Sequence, residues 1–117
     1  MLERDVKRRV SALLSLAMEY DPLYVWMPVV TAMGKRSLDY ICCIQGQFVA
    51  IETKATGEWL RPDQRQRARD IHMSGAKVFI ISGPDGYAAL EAFLVARIPA
   101  LRQSRGLADL RRRTSWG

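Results

Sequence analysis

The chain has 117 residues, 49% of them hydrophobic, with a formal charge of +6 and a sequence pI near 9.8. That length accommodates one domain with a substantial core and leaves no room for two. The charge points to a polyanionic partner such as DNA, and no apolar run reaches the length of a membrane span.

The first residues (Met1, Leu2, Glu3, Arg4, Asp5) are charged and lack an apolar segment, so a cytoplasmic location is expected and a secretory signal is not. Residues 3–19 place Val6, Val10, Leu13, Leu14, Ala17 and Met18 at the spacing of a helix with one buried stripe. Asp21-Pro22 stops it. Residues 24–30 are β-branched and aromatic and read as a strand, with Pro28 marking an edge or a bulge. Residues 31–37 read as a loop containing Gly34, Lys35 and Arg36.

Residues 40–44 and 48–51 are apolar at nearly every position, as strands covered on both faces are. Gln45-Gly46 between them reads as a two-residue hairpin turn, with glycine supplying a positive φ. That turn sets the register: Ile44 opposite Gln47, Cys42 opposite Val49, Tyr40 opposite Ile51, and Asp39 opposite Glu52. Opposed residues on antiparallel strands project to one face with Cβ atoms about 5 Å apart. Strand alternation adds Phe48, Ala50 and Lys54 to that face. Asp39, Glu52 and Lys54 therefore converge.

Charges inside an apolar hairpin require a compensating group. Two carboxylates about 5 Å apart repel by roughly 3 kcal/mol at an effective dielectric near 20. A hard divalent cation such as Mg²⁺ or Mn²⁺ offsets this and accepts carboxylate oxygens. Lys54 beside it is placed to hold a phosphate oxygen or to orient a water. The bland alternative is a carboxylate–lysine ion pair at a sheet edge.

Beyond the hairpin, residues 56–61 link to a helix with Pro62 at its first position and Asp63 next, running to about Ser74 and terminated by Gly75. Gln64, Ala68 and Ile71 fall on its inner stripe. Arg65, Arg67 and Arg69 spread over outer and flanking positions. Trp59 in the linker is suited either to stacking on a base or to covering a core edge. Residues 76–82 read as another buried strand, residues 83–86 as a turn, and residues 87–97 as a helix stopped by Pro99. Leu101, Leu107 and Leu110 suggest a short final helix before Arg111, Arg112 and Arg113, a solvated tail or a phosphate-tracking run. Adjacent Cys42 and Cys43 point to opposite faces and cannot bridge; they read as small buried hydrophobes. With His72 they lack zinc spacing.

The order α-β-β-β-α-β-α describes an α/β fold, a small mixed sheet flanked by helices. Together with Gly34 before Asp39, Gly46-x-Phe48-x-x-Ile51-Glu52-Thr53-Lys54, Pro62-Asp63-Gln64, and Gly75-Ala76 before Val78-Phe79-Ile80-Ile81, it resembles the PD-(D/E)xK nuclease superfamily. Within that superfamily it is similar to the stand-alone virus-type replication-repair nuclease domain, VRR-NUC. The resemblance covers about residues 3–82. It implies a restriction-endonuclease-like core within a single nuclease domain of residues 1–117, with a C-terminal helical and basic extension over about 87–117.

On that resemblance Asp39 and Glu52 correspond to metal ligands for Mg²⁺ or Mn²⁺, aided by the backbone carbonyl of Thr53. Glu3, the acidic residue of the first helix, reaches toward the metal; Asp5 lies one position too far round. Lys54 corresponds to the catalytic lysine and Gln64 to the glutamine near the scissile phosphate. Lys35, Arg36, Arg61 and Arg65 are the expected DNA contacts. The implied activity is metal-dependent endonucleolytic hydrolysis of DNA, selective for branched structures such as Holliday junctions. It would be carried out by a homodimer in a bacterial or phage-infected cell.

Two residues depart from the family pattern. Leu38 replaces the usual proline before the aspartate. Arg61 stands where a Ser or Thr would cap the helix, a loss of about 1 kcal/mol. Neither removes a reactive group. The competing readings are a non-catalytic DNA-binding or recombination accessory protein on the same fold, and a restriction-type endonuclease.

Overall fold

A computed structural model describes residues 1–28 and 38–116. The loop expected at residues 31–37, with Lys35 and Arg36, lies outside them. So does the end of the strand expected at 24–30. The elements run α1 (Glu3–Met18), β1 (Leu23–Trp26), β2 (Tyr40–Ile44), β3 (Gln47–Thr53), α2 (Pro62–Met73), β4 (Lys77–Ile81), α3 (Pro84–Arg97), α4 (Pro99–Arg102) and α5 (Arg105–Arg113). The strands form one mixed sheet in the order β1-β2-β3-β4, antiparallel except for the parallel pair β3 and β4.

The hairpin adopts the expected register, with Tyr40 opposite Ile51, Cys42 opposite Val49 and Ile44 opposite Gln47. Its turn needs two positive φ angles: Gln45 at 52° as well as Gly46 at 80°. Such a turn matches the right-handed twist of the strands it joins. Gln45 is also tied down, its Nε2 donating to the Arg97 carbonyl at 2.7 Å, while Arg97 donates to Gln47 Oε1 at 2.8 Å. The end of α3 thereby clamps the hairpin and fixes which side chains reach the core.

The inner sheet face carries Leu23, Tyr40, Cys42, Ile44, Val49, Ile51, Phe79 and Ile81. It packs against the α1 stripe Val6, Val10, Leu13, Leu14 and Ala17, and against Leu90 and Leu94 of α3. Leu101, Leu107 and Leu110 of the last two helices belong to the same core. Each large apolar side chain so buried contributes about 1.5–3 kcal/mol. Helix α3 starts three residues earlier than its spacing predicts, because Pro84 fits the first helical position.

The outer face is different. The apolar runs predict cover on both sides, yet Tyr24, Trp26, Cys43, Phe48 and Ile80 are exposed. Helix α2 is the element packed there, against β4, and none of its residues is buried. Its stripe (Gln64, Ala68, Ile71) is too short and polar to cover four strands. Cys43, expected to be buried, is therefore exposed, whereas Cys42 is buried; both are free thiols. Among the described residues no helix is long and apolar enough to cross a membrane.

Candidate active site

The carboxyl ends of the parallel strands β3 and β4 meet the start of β2 and the first turns of α1. Tyr40 makes this junction. It points from β2 into the core, and its hydroxyl donates to the Lys7 carbonyl at 3.0 Å and pairs with Ser11 Oγ at 2.7 Å. That contact fixes α1 against the sheet and brings Lys7 Nζ to 3.8 Å from Asp39 Oδ1.

Asp39 stands one residue before β2, where the ladder with β3 ends. Its Oδ2 accepts from the Thr53 N–H at 2.9 Å and from the Thr53 hydroxyl at 2.7 Å. Thr53 thus orients Asp39 with two donors, a role distinct from the backbone carbonyl contact that the resemblance implies. Glu52 is 3% exposed and Lys54 6%, and the Glu52 carboxyl lies near enough to Asp39 for the two to shift each other's titration. The Lys54 N–H continues the ladder to the Ile81 carbonyl at 2.9 Å.

Burial pushes both carboxyl groups toward the neutral form. At Asp39 this is outweighed by hydrogen bonds from the Glu52 carboxyl and from the Thr53 hydroxyl and N–H, together with the charge of Lys7. Asp39 is accordingly held below its ordinary value. At Glu52 burial is reinforced by the hydrogen bond to Asp39, by its charge and by that of Glu3, and Lys54 opposes only part of this. The Glu52 carboxyl is pushed up to about 8. The two carboxyl groups are thus driven apart, Asp39 toward the ionised form and Glu52 toward the neutral one.

This donor set fits a hard divalent cation. Two neighbouring carboxyl groups lose hydration there and disfavour each other's charge, and a cation would relieve both costs. Among the described residues no group of three or more His, Cys, Asp or Glu side chains is gathered for a metal. Glu3 is exposed in the first turn of α1, and its link to the pair is the charge felt by Glu52.

Gln64 lies partly buried in the first turn of α2, and its Oε1 accepts the Arg61 N–H at 3.0 Å. It satisfies the N–H of the N-cap residue Arg61, and its Nε2 is the donor it can offer a phosphate. Arg61 is exposed and pairs with Asp63 at 3.3 Å; Arg65 is exposed on the next turn. Lys7 was not legible as a site residue. Its one signal is the four-residue spacing from Glu3, which puts both on the same side of α1.

Comparison of the chain with protein-family models, curated proteins and solved structures finds no match.

Proposed function

We propose that this protein is a metal-dependent DNA endonuclease with a restriction-endonuclease-like core, acting on branched DNA as a homodimer. The observation that carries the reading is the convergence of Asp39, held by Thr53, with the buried Glu52 and Lys54 where the β2–β3 ladder ends. Buried carboxyl pairs with their pKa values driven apart are characteristic of reactive centres. The fold supports the reading through its α-β-β-β-α-β order, with the pair at the carboxyl ends of parallel strands, where open α/β sheets bind ligands.

In this mechanism Asp39 and Glu52 would hold Mg²⁺ or Mn²⁺, with the Thr53 carbonyl beside them. When bound, such an ion supplies Lewis-acid shielding of phosphate charge and lowers the pKa of water. Thr53 and Lys7 keep Asp39 ionised and oriented. Glu52 would supply the second carboxylate oxygen to that ion. Lys54 donates to a non-bridging phosphate oxygen and stabilises the charge that builds during in-line attack by water. Gln64 Nε2 orients the phosphate, and Arg61 and Arg65, with Lys35 and Arg36, hold the flanking backbone.

The test is incubation with four-way junction, duplex and single-stranded DNA in Mg²⁺, Mn²⁺ or EDTA. Metal-dependent cleavage of the junction is expected. Binding without products would favour a DNA-binding accessory protein, and cutting at one duplex sequence a restriction-type enzyme. Light scattering tests the dimer.

A further inference from the structure

Trp59, in the loop between β3 and α2, is 90% exposed. Leaving so large a ring in water forgoes the burial that ordinarily stabilises an aromatic side chain. The loop that presents it is nevertheless tied down. The Thr56 N–H donates to the Met1 carbonyl at 3.0 Å, and the Thr56 hydroxyl donates to the Ser82 carbonyl at 3.1 Å. The Glu58 N–H turns back to the Ala55 carbonyl at 3.0 Å, and Gly57 at φ 86° permits the reversal. At the far end the Arg61 N–H is held by Gln64. The indole covers no core edge and stands in solvent on a backbone held at both ends.

Trp59 forms one wall of a cavity of about 420 Å³, with Leu60 and Ile80 as apolar surfaces and Arg65 and Glu58 as charged ones. Ile80 is the register partner of Glu52 on the adjacent strand. Directly paired residues share a face, so the cavity opens beside the carboxylate pair.

We propose that this cavity receives one unpaired nucleobase of a DNA strand next to the phosphate that is cut. The cut itself rests on the nuclease reading; the base binding does not. A planar aromatic wall and aliphatic neighbours suit the π-face of any base. Arg65 meets the backbone phosphate of that nucleotide, whereas Glu58 repels phosphate, so the base and not the backbone enters. A base inside a duplex must first be unpaired and unstacked before it can enter. The site therefore selects DNA with an unpaired nucleotide beside the scissile bond, as at a junction, flap or single strand.

The experiment measures binding in EDTA, where no cleavage interferes, using a single-stranded oligonucleotide and a blunt duplex containing the same sequence. Trp59→Ala is expected to weaken single-strand binding by roughly 10- to 100-fold, Trp59→Phe to recover most of it, and duplex binding to be unchanged. Because Trp59 is packed against so little, the melting temperature should not move. Equal single-strand affinity in wild type and Trp59→Ala would overturn the proposal. So would equal losses on single strand and duplex, which would make the ring part of a general cradle. Loss of cleavage activity alone would leave these binding ratios intact, so the two readings fail separately.

Discussion

Glu52 is where the site's electrostatics are most exposed to test. Its folded carboxyl sits near 8, against an ordinary value of 4.5. The folded protein therefore binds more protons than the unfolded chain between those values. In EDTA, stability should be highest at the lower end of that window and fall as pH rises to about 8, by up to a few kcal/mol. Asp39, shifted the other way from 3.8, adds loss only on the acid side. Thermal denaturation across pH measures this, and Glu52→Gln should flatten the decline. Thr53→Val keeps the shape and the N–H but removes the hydroxyl donor to Asp39. It should cost about 1–2 kcal/mol and weaken Mn²⁺ binding, read by denaturant titration and calorimetry. The shared placement of Asp39, Glu52 and Lys54 was legible because strand alternation converts sequence separation directly into a shared face. Lys7 was not: its ion pair depends on how α1 docks, which Tyr40 decides from another element.

Elements were legible to the extent that local chemistry specifies them. Gln45-Gly46 set the hairpin register, since a slip of one residue would turn the inner apolar set outward. The same apolar runs could not report that α2 leaves much of the outer face uncovered, because Phe48 and Cys43 look alike in sequence whether covered or not. Close packing at helix starts was equally hidden. A Cβ on Gly86 would lie 2.7 Å from the Ile80 carbonyl oxygen, where α3 crosses the end of β4. Gly86→Ala should therefore destabilise by about 1–3 kcal/mol in urea. A Cβ on Gly106 would lie 2.5 Å from Leu16 Cδ1, a mobile side-chain end. Gly106→Ala should cost less, since gained helix propensity of about 1 kcal/mol opposes the clash.

At the scale of the molecule, a net charge of +6 with exposed Arg61 and Arg65 should make DNA binding strongly salt-dependent. Affinity in EDTA is expected to fall at least about tenfold between roughly 50 and 200 mM salt, measured by fluorescence anisotropy. The arginines at 111–113 contribute less than their number implies, because they lie within α5 and two are engaged, Arg111 with Glu91 and Arg112 with Asp109. The central claim is that Asp39, Glu52 and Lys54 form a hydrolytic centre. Its most direct test is the rate of four-way-junction cleavage in Mn²⁺ by wild type, Glu52→Ala and Lys54→Ala, with junction affinity measured in EDTA. The account predicts cleavage by wild type, a loss of about 100-fold or more in each variant, and affinities within a few-fold of one another. Full cleavage by either variant, or none by the wild-type protein, would contradict it.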